Sequence, residues 1–170
     1  MDGILAPAEY WNIVTITQTA LGPDRKPLLI GIDGKEGTGK RSLSCWLAWQ
    51  LRIPVIHLDL FLRQVEMPAR ITRRVADLDR CIKARGPRPM VIEGVLLLDA
   101  LDEVGRTPDF LIFVDEPVPV SPLVRQPDPA DRDPREFALS NQIADYLGRR
   151  SPADCADFTV VGFSDSEVAV

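Results

Sequence analysis

Apolar positions along the chain follow two different periods. Short continuous runs occur at Leu28–Asp33, Val55–Asp59, Pro89–Glu93, Asp109–Asp115 and Asp157–Phe163. Runs of this length, closed by Gly, Pro or an acid, predict strands buried on both faces. Between them the apolar residues recur every three to four positions. Leu43, Leu47 and Leu51, with Trp46, predict a helix over Lys40–Leu51, stopped by Pro54. Ile71, Val75, Leu78 and Ile82 predict one over Ala69–Arg85, ended by Gly86-Pro87. A first helix is expected over Pro7–Leu21, with Tyr10, Trp11, Val14 and Ala20 on its apolar side, ended by Gly22-Pro23-Asp24. A short helix is expected over Val95–Val104 and a last one from about Arg135 to Leu147.

Strands alternating with helices predict an α/β fold with a mainly parallel sheet covered on both faces. At 170 residues the chain is expected to form one domain. Residues 1–27 form a helical extension ahead of the first strand. Residues 116–134 carry Pro117, Pro119, Pro122, Pro127, Pro129 and Pro134 and read as a loop, because a helix and a strand follow. The acidic tail after Phe163 is expected to be loose.

Ligands of such sheets bind at the C-terminal ends of the strands. There the first strand runs into Gly34-Lys35-Glu36-Gly37-Thr38-Gly39-Lys40, and a helix follows. Strand, Gly-x-x-x-x-Gly-Lys and helix are the context of a phosphate-binding loop. Glycines let backbone N–H groups curl around an anion, and the helix N-terminus adds positive potential. Lys40 is placed for the β- and γ-phosphates. Gly31, Gly34, Gly37 and Gly39 do not make the dinucleotide spacing G-x-G-x-x-G. The fold is therefore expected to be a P-loop NTPase-type three-layer sandwich. The position after the lysine normally supplies a Ser or Thr hydroxyl to Mg²⁺; here it is Arg41, which has no acceptor atom. Ser42 is next, turned by about 100° along the helix. Either a shift of the loop brings Ser42 to the metal, or water fills the place, or Arg41 itself neutralises phosphate charge.

Three acids fall at the same end of the sheet. Asp59 closes the second strand and suits orienting or deprotonating an attacking hydroxyl, as phosphoryl transfer requires; the bland alternative is a helix cap or turn. Glu93 ends Met90-Val91-Ile92-Glu93-Gly94 and suits a metal-bound water, or else caps the next helix. Asp115 reads as a turn residue. His57, the sole histidine, reads as a packed strand residue more than as a base.

Composition adds limits. A net charge of −5 argues against nucleic acid as a main partner, though one nucleotide needs only local positive charge. Cys45, Cys81 and Cys155 make neither a zinc spacing nor a disulfide set, which fits a reducing cytoplasm. No secretory leader or membrane span is expected from the hydropathy pattern. Sixteen Arg against four Lys reads as compositional bias before phosphate handling. Arg63, Arg70, Arg73 and Arg74 either bind an anionic acceptor or line a solvated helix face.

The stretches Ile30–Ser42 (IGIDGKEGTGKRS), Val55–Phe61 (VIHLDLF), Val91–Leu98 (VIEGVLLL) and Phe110–Pro117 (FLIFVDEP) resemble, in order, the uridine kinase and phosphoribulokinase-like P-loop kinases. Tyr146–Gly162 resembles that family's closing segment more weakly. The resemblance implies a five-stranded parallel core and transfer of the ATP γ-phosphate to a hydroxyl of a nucleoside or similar metabolite. It implies Asp59 as base and Glu93 in support of the metal or substrate. A metal set of Ser42, Asp59 and Glu93 for Mg²⁺ follows. The chain departs from the family at Arg41. It also departs at residues 116–134, where an Arg-rich lid helix is usual and only Arg125, Arg132 and Arg135 are candidates. The insert between Phe61 and Met90 is short. Two functions remain in view: a small-molecule kinase, and a degenerate nucleotide-binding relative serving as a sensor or partner protein.

Overall fold

A computed structural model describes residues 8–63, 70–116 and 134–162. The described elements are, in order, α1 (Ala8–Leu21), β1 (Leu29–Gly34), α2 (Lys40–Leu51), β2 (Val55–His57), α3 (Val75–Arg85), β3 (Met90–Glu93), α4 (Leu97–Glu103), β4 (Phe110–Asp115), α5 (Pro134–Arg150), α6 (Pro152–Cys155) and β5 (Phe158–Val161). A 3₁₀ turn, Leu58–Phe61, follows β2. The five strands form one sheet in the order β2-β3-β1-β4-β5. Every pairing is parallel, with Ile32 opposite Glu93 on one side of β1 and Ile112 on the other.

Alternation along the strands fills both layers. Ile30, Ile32, Val91, Ile112 and Val114 pack with Ile13 and Val14 of α1 and Leu43, Leu47 and Leu51 of α2. Ile56, Met90, Ile92 and Leu111 pack with Leu78 and Ile82 of α3 and Leu97 and Leu101 of α4. The short, nearly continuous apolar strands are therefore buried from both sides, as the sequence predicts.

Several details differ from expectation. In α1 the buried side is Tyr10, Ile13, Val14, Thr17 and Leu21, while Trp11 is 48% exposed and Ala20 faces solvent. The threonines explain the weak pattern: Thr17 hides its hydroxyl on the Ile13 carbonyl at 2.7 Å, so a polar residue sits on the buried side. Helix α3 begins at Val75, six residues later than expected, because residues before it are held elsewhere. Leu62 and Arg73 form an isolated antiparallel bridge, with Arg63 N–H on the Thr72 carbonyl and Arg74 N–H on the Phe61 carbonyl. Helix α5 continues past Leu147 to Arg150. The expected loop 117–133 and tail 163–170 lie outside the described residues. Among the described residues no helix is long and apolar enough to cross a membrane.

Candidate functional site

The C-terminal ends of β1, β2 and β3 open on a cavity of about 460 Å³. Glu36, Gly37, Gly39, Lys40, Arg41 and Ser42 line it from the loop and α2, and Asp59 and Glu93 from the neighbouring strand ends. Eight sequence-predicted residues thus share one space. Gly34, Lys35 and Thr38 do not line it. Gly34 is buried at the end of β1. Lys35 turns outward to Glu116, 3.1 Å away. Thr38 is buried and donates its hydroxyl to the Lys35 carbonyl at 2.9 Å, holding the loop's curl.

Gly37 and Gly39 adopt φ of 77° and 81°, which L side chains rarely take, and a Cβ on Gly37 would meet nothing within 4 Å. At Gly37 the demand is therefore conformational and not steric. Lys40 is buried, with Nζ donating to the Lys35 carbonyl. Burial lowers its pKa; the Glu93, Asp33 and Glu36 carboxylates act the other way. The ammonium therefore sits over the loop with no carboxylate in ion-pair contact among the described residues.

Asp59 is not at the end of a strand. Strand β2 stops at His57, and Asp59 lies half exposed in the 3₁₀ turn, where its carboxylate forms an ion pair with Arg41. The arginine at the expected hydroxyl position thus contacts the expected base. Ser42 faces solvent and lines the cavity. Glu93 is buried, and its Oε1 lies 2.6 Å from Nδ1 of His57, whose Nε2 is 3.9 Å from Cys45 Sγ. His57 is therefore a partner of a site acid and not merely packing. Asp115 is not in a turn: it is the exposed last residue of β4, paired with Val161, and accepts the Glu116 N–H at 2.8 Å.

Oxygen donors from Ser42, Asp59 and Glu93 line one cavity and suit a hard cation such as Mg²⁺, which takes one or two carboxylates together with phosphate oxygens and water. Among the described residues no cluster of three or more acidic, His or Cys side chains forms a self-sufficient metal site. A metal held here would need phosphate or water ligands besides, and Asp59 could join it only by leaving Arg41.

Two contributors, Asp33 and Gly162, carry no signal in the sequence, and a third, Arg73, has two readings there. Asp33 is buried beneath the loop and accepts the Gly34 N–H at 2.8 Å and the Tyr146 hydroxyl. Burial pushes its pKa up to about 6, against the pull of those two bonds. The acid was visible in the sequence only as the last residue of an apolar run. Gly162, at the end of β5, lies so close that a Cβ would stand 1.9 Å from the Thr38 carbonyl oxygen. Only glycine permits the last strand to back the loop. The third is Arg73, which the sequence offers either as a ligand for an anionic acceptor or as part of a solvated helix face. It precedes the helix, is only 8% exposed, and lines the cavity. Arg63, Arg70 and Arg74 are exposed. Arg135, in the first turn of α5, is exposed too, while Arg125 and Arg132 lie outside the described residues.

No protein-family model and no curated protein matches the sequence. Solved structures do match. One described as that of a possible uridine kinase from Bacillus stearothermophilus aligns with 89% of this chain and 96% of its own, at 17% identity and a TM-score of 0.60. A shikimate kinase from Bacteroides thetaiotaomicron aligns with 79% of this chain and 86% of its own, at 18% identity and a TM-score of 0.41. The five-stranded parallel sheet with helices on both faces is the fold that this chain shares with the possible uridine kinase.

Proposed function

We propose that the protein is an ATP-dependent small-molecule kinase of the uridine kinase-like branch, transferring the γ-phosphate to a hydroxyl of its acceptor. One observation carries this reading: the phosphate loop, Lys40, Asp59 and Glu93 line a single cavity. The loop amides and Lys40 hold the β- and γ-phosphates in place of water. Asp59 orients the acceptor hydroxyl and takes its proton as the oxygen–phosphorus bond forms and the bond to the β-phosphate breaks, leaving ADP. Glu93, oriented by His57, faces the same space. Mg²⁺, bound with ATP, supplies further charge neutralisation there.

The Arg41–Asp59 pair favours a second reading, a nucleotide-binding relative in which Arg41 blocks the base. Its magnitude argues against a permanent block. The two side chains are 60% and 48% exposed, and exposed pairs are worth about 0.2–1 kcal/mol. An incoming polyphosphate offers Arg41 a stronger, multiply charged partner and frees Asp59.

Titration with ATP by calorimetry, with and without Mg²⁺, beside Lys40→Ala, tests the reading. Mg²⁺-strengthened binding that the variant loses supports a kinase. Binding indifferent to Mg²⁺ supports the second reading, and absence of ATP binding removes both.

A further inference from the structure

We propose that the phosphate acceptor is itself an anion, a small hydroxylated metabolite whose carboxylate or phosphate is received by Arg73. The inference rests on the kinase reading and narrows its substrate class. It starts from the cost of burying a guanidinium. Arg73 is more than nine-tenths buried, yet among the described residues no carboxylate forms an ion pair with it. Its Nη2 donates to the Val95 carbonyl at 2.5 Å, and its Nε has no hydrogen-bond partner. A carbonyl dipole satisfies one of five N–H groups and cancels no net charge. A charge buried in this way is costly to the fold, and an apolar residue of similar size would carry no such cost. Glu103, Tyr146, Asp33 and Asp99 act on it only at longer range, and burial outweighs them in lowering its pKa, though a guanidinium stays protonated at any physiological pH.

The surroundings hold Arg73 in place. The Leu62–Arg73 bridge fixes its backbone. The Gln142 side chain of α5 clasps the nearby Ile71, accepting its N–H at 2.7 Å and donating to its carbonyl at 3.2 Å. Around Arg73 the cavity wall is Leu62, Ile71, Val95 and Leu139. The ATP phosphates already have Lys40, Arg41 and the loop amides. A preset cation on an apolar wall suits one oxyanion of an organic molecule, because a guanidinium binds a carboxylate or phosphate through two parallel bonds. A neutral acceptor would leave those N–H groups unpaired, which is how such sites reject it.

The test uses the full chain saturated with Mg²⁺ and a non-hydrolysable ATP analogue, so that the phosphate loop is occupied. Polyols of three to six carbons are then titrated, each as the neutral polyol, its aldonate and its monophosphate. At least one anionic form is expected to bind tenfold or more tightly than its neutral parent, and the aldonate and monophosphate arms tell the two sources apart. Arg73→Met is expected to abolish that preference with the affinity for the ATP analogue unchanged. Arg73→Lys, which keeps the charge and loses the fork, should retain part of it and serves if the Met variant does not fold. No preference for any anion, or a preference that survives Arg73→Met, overturns the inference. Failure of the ATP analogue to bind the unmodified protein overturns the kinase reading instead.

Discussion

The two walls of the cavity are built on different principles. The phosphate wall is local: Gly34 to Ser42 are contiguous, and the loop's curl is held by Thr38 and Lys40 on the Lys35 carbonyl. The facing wall, proposed above to receive the acceptor, is assembled from Leu58, Leu62, Ile71, Arg73, Gly94, Val95 and Leu139, drawn from four separate parts of the chain. A local wall can be held in shape by nine contiguous residues. An assembled wall depends on bridges such as Gln142 to Ile71 and can change specificity without touching the loop.

The largest expected effect lies where the walls meet. Asp59→Asn keeps the shape of the 3₁₀ turn and removes the base. Acceptor-dependent ADP formation should fall roughly 10²–10⁴-fold, the usual weight of a general base, with ATP affinity little changed. Unaltered turnover would remove Asp59 from the chemistry and break the view that the acceptor is activated at this junction. Lys40→Ala acts on the phosphate wall alone. Losing one charge-assisted contact should weaken ATP binding about 10–100-fold by calorimetry, in line with roughly 1.5–3 kcal/mol for a hydrogen bond to a charged group. A matching loss of acceptor binding would show that the walls are not independent.

How much could be read from the sequence follows the same division. The strand–loop–helix around Lys40, the five strands and the acids Asp59 and Glu93 were legible, because each is set by residues adjacent in the chain. The second strand ends at His57, two residues before the Asp59 that the apolar run predicts, since a 3₁₀ turn and a strand end look alike in such a run. Arg73 is one of four arginine candidates in the sequence, but what sets it apart is not legible there: its burial comes with the bridge to Leu62 and the packing of α5, neither of which leaves a periodic trace. Asp33 and Tyr146 are 113 positions apart, and nothing local marks them as partners. Trp11 and Ala20 were assigned to the buried side of α1 because composition, not periodicity, dominates a helix whose threonines bond back to its own carbonyls.

Asp33 joins the two walls from below. Its carboxylate accepts the Tyr146 hydroxyl, which in turn accepts the Leu98 N–H at 3.1 Å, tying α5 and α4 to the base of the loop. Its folded pKa of about 6 exceeds the ordinary 3.8. Between those values the folded state holds a proton that the unfolded chain has released. Its stabilising contribution is therefore full below about pH 4 and is lost as the pH rises through 6. At 1.36 kcal/mol per unit the loss is on the order of 2–3 kcal/mol. Urea unfolding of Asp33→Asn beside the original protein should show the variant gaining relative stability from pH 4 to pH 7. A constant difference across that range would mean that Asp33 ionises normally.

The smallest effect on stability, and the sharpest on interpretation, belongs to Arg41→Thr. The exposed pair with Asp59 contributes at most about 1 kcal/mol, so unfolding should move by no more than that. What should change is the dependence of ATP binding on Mg²⁺. Threonine restores a hydroxyl beside Lys40 and removes a resident cation from the phosphate wall. If Arg41 neutralises phosphate in the original protein, the variant should bind ATP more weakly without Mg²⁺ and gain more when Mg²⁺ is added. The ratio of the two affinities, measured by calorimetry in both proteins, isolates that exchange from any loss of fold. An unchanged ratio would mean that Arg41 never leaves Asp59, and would turn the phosphate wall from a working site into a closed one.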